Sequence, residues 1–235
     1  MDPQNLIHVS KFLLLGLSED PELQPLLFGM FLSIYLLTVL GSLVFILAVS
    51  SDPHLHTPMY FFLSNLSLAD IGFTSATIPK MLMNIHIHQR IISYVNCLIQ
   101  LSFFSFFGCM DNVLLTVMAY DRFVAICQPL HYPVIMNLHL CGLFVLVSFF
   151  LSLLYSQLHC LMVSQLAFCT GVEIPHFFCD PSQLFNLTCS DTTIKNILVY
   201  FIGAIFRGVP VSAILFSYTP IVFSVLESPI IRWEV

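Results

Sequence analysis

Five stretches of this chain are long and apolar enough to cross a bilayer, and no other feature constrains the fold as tightly. A helix rises about 1.5 Å per residue, so about 20 apolar residues cross the hydrocarbon. Residues 26–50 contain no Asp, Glu, Lys or Arg; 58–79 contain one, Asp70; 98–120 contain one, Asp111; 140–161 contain none; and 196–222 contain one, Arg207. The expected fold is an all-α membrane protein with transmembrane helices over those five ranges. A membrane β-barrel would show alternating segments of about ten residues, and none is visible. Composition agrees: 9% of residues are charged and 58% hydrophobic, against about 25% charged in a soluble domain. Disordered chains are polar and charged. With 7 Lys+Arg and a net charge of −6, the chain lacks the basic footprint that nucleic acid requires.

The remaining segments are joints and tails. Residues 1–25 carry Glu19, Asp20 and Glu22 and no apolar core of a cleavable signal, so they read as an extracellular tail ahead of an uncleaved signal anchor. Pro53 and Pro58 bracket a short loop; Pro129, Pro133 and Asn137 break the chain after the third span; residues 162–195 form the one long loop; and 223–235 form a divergent cytoplasmic tail. No repeat of solenoid or transporter kind is visible.

Two sequence signals set the orientation, and they disagree. With the N-terminus outside, outer segments hold Lys11, Lys80, Arg90 and Lys195 and inner ones Arg122 and Arg232, weakly against the positive-inside rule. Cysteines decide the other way. Cys97 at the start of the third span and Cys169, Cys179 and Cys189 in the long loop lie on one side, as two disulfides in an oxidising lumen would require. The sequon Asn186-Leu187-Thr188 in the same loop fits lumenal glycosylation at Asn186.

Three motifs then carry a resemblance. Leu55-His56-Thr57-Pro58-Met59-Tyr60-Phe61-Phe62-Leu63-Ser64-Asn65-Leu66-Ser67 precedes Asp70 and Pro79-Lys80-Met81-Leu82; Met118-Ala119-Tyr120-Asp121-Arg122-Phe123-Val124-Ala125-Ile126-Cys127 precedes Pro129-Leu130-His131-Tyr132; Phe216-Ser217-Tyr218-Thr219 ends the fifth span. With the cysteine loop, these closely resemble the odorant receptors, a branch of the rhodopsin-like G-protein-coupled receptors, over residues from about 10 to 226.

The resemblance implies a seven-helix bundle of which this chain carries five helices, so the expectation is a receptor truncated after the fifth. It implies a multi-pass plasma-membrane protein that detects small hydrophobic odorants and engages a stimulatory G protein. The alternative is a non-signalling remnant, retained in the endoplasmic reticulum or acting by binding other receptors. No phosphate loop, Gly-x-Ser-x-Gly or HExxH is present, so no enzyme and no metal centre are expected. Pairs such as His54/His56 and His86/His88 are weak metal signals.

Residue roles follow from the same resemblance. Arg122 is expected as a latch that pairs with Asp121 at rest and meets the G protein when active, with Tyr218 as its active-state partner. Asp70 and Asp111 lie at similar depth, and two buried carboxylates do not both carry charge without a counter-ion; a shared proton or a Na⁺ ion would serve, and related receptors place sodium at the position matching Asp70. Apart from that ion no cofactor is implied. The odorant cavity is expected to be walled by Phe104, Ser105, Gly108, Cys109, Ile202, Gly203 and Phe206. The disulfides are expected as Cys97–Cys179 and Cys169–Cys189, with Cys97–Cys189 the alternative. Ser42, where the family has Asn, and Arg207, mid-membrane, depart from the pattern.

Overall fold

The computed structural model describes residues 11–15, 20, 22–87, 90–165, 173–174, 178–179, 184, 187 and 193–226. Five long helices form the bundle: α1 Leu23–Ser51, α2 Pro58–Ile87, α3 Tyr94–Cys127, α4 Leu138–Ser164 and α5 Thr193–Leu226. A single helical turn, Tyr132–Ile135, links α3 to α4. Four of the five helices are long and apolar enough to cross a membrane; α2 is not among them. Asn65, Asp70 and a run of Ser and Thr dilute the apolarity of α2.

Each helix overruns the range read from its apolar run, because helical hydrogen bonding continues where hydrocarbon ends. Pro79, expected near the end of the second span, lies inside α2. Its missing N–H frees one carbonyl without stopping the helix, as membrane helices tolerate. Capping is clearer at other ends. Ser93 Oγ accepts from the Asn96 N–H at 3.2 Å and opens α3. Asn137 Oδ1 accepts from the Leu140 N–H at 2.9 Å and opens α4.

α3 is the central helix. It packs against α2, α4 and α5, while α1 packs on α2. The α3–α4 seam is built from small polar residues. Ser148, Ser152 and Ser156 lie four residues apart on one face of α4, all buried. The Ser156 hydroxyl donates to the Ser102 carbonyl at 2.8 Å, and the two serine hydroxyls lie 2.9 Å apart. Such residues let helix backbones approach where no hydrophobic force drives association. Between α2 and α3 the fit is tighter still: a Cβ added at Gly72 would overlap the Phe107 ring.

One end of the bundle carries a small sheet that the reading of residues 1–25 as a tail did not foresee. Strand β1 (Lys11–Leu14) lies between β2 (Ile91–Ser93), antiparallel with Phe12 opposite Ile92, and β3 (Glu173–Ile174), parallel with Leu14 opposite Ile174. Phe12, Leu14, Ile92, Ile174, Leu101 and Val163 form a buried cluster around Cys97 and Cys179. Four residues are too few for a legible period; the strand exists because distant segments supply its partners.

Candidate functional site

At the sheet end, Cys97 and Cys179 form a disulfide with Cα atoms 5.6 Å apart. It ties the first turn of α3 to the long loop. Gln100, one turn on, strengthens the joint: its amide donates to the Ala76 carbonyl on α2 at 3.1 Å and its Oε1 accepts from the Cys179 N–H at 3.4 Å. The expected Cys169–Cys189 pair and Asn186 lie outside the described residues. Cys109, Cys127, Cys141 and Cys160 are free thiols.

Below the disulfide, α3, α4 and α5, with Phe73 of α2, line an open cavity of about 670 Å³. Phe104, Ser105, Gly108 and Cys109 from α3 and Gly203 and Phe206 from α5 line it. Six of the seven expected wall residues therefore converge. Ile202 does not line it: it packs against the buried cluster at the sheet end, because helical spacing turns it away from the face shared by Gly203, Phe206 and Arg207. The lining includes residues that the sequence did not single out, Tyr155 and His159 of α4. Their signal was available: two polar rings four residues apart in a charge-free span share one helix face. The Tyr155 ring lies 4.4 Å from His159 and 4.5 Å from Phe206, centroid to centroid, and joins α4 to α5. Phe104 similarly bridges Phe73 of α2, at 4.8 Å, and Phe178 of the loop, at 5.1 Å.

Asp111 and Arg207 line the same cavity, yet no ion pair within 4 Å joins them. Asp111 Oδ1 is buried without a hydrogen-bond partner. Asp70 on α2 is near enough for its charge to act on Asp111. Among the described residues no group of three His, Cys, Asp or Glu side chains is placed to hold a metal ion.

At the other end of α3, Asp121 is 1% exposed. Its carboxylate accepts a hydrogen bond at 2.9 Å from the Tyr132 hydroxyl, on the helical turn after α3. The expected resting pair of Asp121 with Arg122 is not formed within 4 Å: neighbouring residues on a helix point about 100° apart. Arg122 is half-buried, with one guanidinium nitrogen enclosed and unbonded. Tyr132 lies outside the spans, and burial, then the Asp121 carboxylate, pushes its phenol up to about 12. Tyr218 on α5 is exposed.

A family model described as olfactory receptor matches residues 31–231. Human olfactory receptor 7E24 is 66% identical over 228 residues, covering 97% of this chain and 67% of the relative. Mouse olfactory receptor 7E178 is 61% identical, covering 97% of the chain and 69% of the relative. The dog olfactory receptor-like protein OLF4 is 56% identical, covering 96% and 73%. The chain thus spans about two thirds of the length of these relatives, and the match includes both the cavity wall and the Asp121 end of α3. This chain, a multi-pass membrane protein and not an enzyme, belongs to the olfactory receptor family.

Proposed function

We propose that the chain is an odorant receptor polypeptide whose α3–α5 region binds a small hydrophobic ligand and whose Asp121 end engages a stimulatory heterotrimeric G protein. The observation that carries this reading is the cavity: wall positions expected from α3 and α5 meet around one space of about 670 Å³, within the range of about 300–1,000 Å³ usual for small-molecule sites. Arg122, with a free guanidinium nitrogen beside Asp121, is the residue through which binding reaches the G protein, and Tyr218 is its active-state partner. Asp70 and Asp111 share a proton or a Na⁺ ion, which would satisfy the unbonded Asp111 oxygen. The sheet end faces the lumen and then the cell exterior; the Asp121 end faces the cytoplasm.

A second reading has its own support. α5 exposes Val211, Leu215 and Val222, which share one helix face that in a complete bundle would meet further helices. A polypeptide of these five helices would be retained in the endoplasmic reticulum or would dock that face on other receptors. Surface expression separates the two. We expect an N-terminal tag to be displayed outside when the chain reaches the plasma membrane. A C-terminal tag should be reachable only after permeabilisation, and glycosidase should shift the mass by one glycan that Asn186→Gln removes. An unmodified Asn186 in secretory-cell membranes, or a C-terminal tag reachable on intact cells, contradicts the orientation.

A further inference from the structure

We propose that Arg207 makes this cavity selective for carboxylates: the preferred ligand is a small aliphatic acid, its carboxylate on the Arg207 guanidinium and its chain along Phe104 and Phe206. The inference rests on the ligand-cavity reading above and adds the chemical class of the ligand.

Arg207 lies 11 residues before Tyr218, about 16 Å along α5 at 1.5 Å per residue. A guanidinium stays charged, and a charge at that depth is costly unless paired or hydrated. It lines the cavity and acts electrostatically on Tyr155 across the gap to α4. The acid on the same wall, Asp111, is not within 4 Å of it and has Asp70 as its charged neighbour. The charge is thus placed where it acts on a phenol, in a space lined by Phe104, Gly108, Cys109 and Phe206 together with the polar Ser105, Asn112 and His159. A carboxylate matches this arrangement: its two oxygens accept parallel N–H bonds from the guanidinium, and the Tyr155 hydroxyl can donate a third. The acid arrives neutral through the membrane or from water, releases its proton to water, and is held as the anion. An alcohol or ester of the same chain fills the apolar wall and leaves the cation unmatched. A hydrogen-bonded charge pair of this kind should give about tenfold tighter binding or more.

The test uses the 235-residue chain in lipid nanodiscs, with thermal unfolding followed against hexanoate, hexanol and methyl hexanoate. We expect hexanoate to raise the midpoint at concentrations about tenfold lower than the other two. Arg207→Gln should remove that preference while weak binding of all three persists, and Arg207→Lys should retain part of it. Equal binding of the three ligands, or a hexanoate preference that survives Arg207→Gln, overturns the inference and leaves the cavity reading standing. Binding of none overturns both. If Arg207→Gln and Asp111→Asn each destabilise the unliganded chain and the double variant is no worse than either, Arg207 is spent on Asp111 and the inference fails.

Discussion

Between Asp121 and Arg122 the helix turns by about 100°, which sends their side chains to different neighbours. The carboxylate goes to Tyr132, and the guanidinium keeps an unbonded nitrogen. The Asp-Arg pair was legible in the sequence; the Tyr132 bond was not, since it depends on how the chain folds back after Pro129. Tyr132→Phe should lower stability by about 1–3 kcal/mol, the scale of a hydrogen bond to a charged group, read as a drop in the unfolding midpoint in detergent; an unchanged midpoint counts against the bond. The pH sign follows from the phenol's raised value of about 12. The bond requires the protonated phenol, so its contribution is full below about pH 10 and is lost as pH climbs through about 12. Stability measured from pH 6 to 9 should therefore show no Tyr132 titration. At Gly72 any side chain must displace Phe107. Gly72→Leu should destabilise by about 1–3 kcal/mol, and Gly72→Leu paired with Phe107→Ala should recover part of the loss.

The helices were legible because each span is an apolar run longer than a soluble helix needs, and the cavity wall because two helices carry its residues at helical spacing. The sheet was not, because β1 is held by strands some 80 and 160 residues away in sequence. Nor was the serine seam, whose residues read as ordinary small polar positions until α3 is laid against α4. Ser152 is fully buried in that seam, so Ser152→Leu should push α3 and α4 apart and cost about 1–3 kcal/mol, whereas Leu154→Ala, on the exposed face, should change stability little. Phe12→Asp puts a charge inside the cluster around Cys97 and Cys179, where an unpaired charge is costly. It should slow or prevent formation of that disulfide, read by mass spectrometry without reductant; full disulfide formation in Phe12→Asp would show that β1 is dispensable.

On the scale of the whole molecule, most of α1 and α5 is exposed, with Leu37 at 73% and Phe216 at 75%. Water does not tolerate apolar faces of that extent, while lipid does, and helices with internally satisfied backbones can meet it directly. On the proposed reading, the further helices of a complete bundle would complete both the cavity and the G-protein cleft beside Arg122. That reading makes ligand binding and signalling separable: the expected wall residues lie in α3 and α5, and the switch would need the further helices. The direct measurement is odorant-evoked cyclic nucleotide in cells expressing the 235-residue chain, alone or with a separate fragment carrying the part of human olfactory receptor 7E24 that follows the matched region. Straight-chain acids, alcohols and esters serve as odorants. The account predicts no rise from the chain alone and a dose-dependent rise with the fragment that Arg122→Ala abolishes; a rise from the chain alone that vanishes in Arg122→Ala, or silence from a surface-displayed complex of the two fragments, would contradict it.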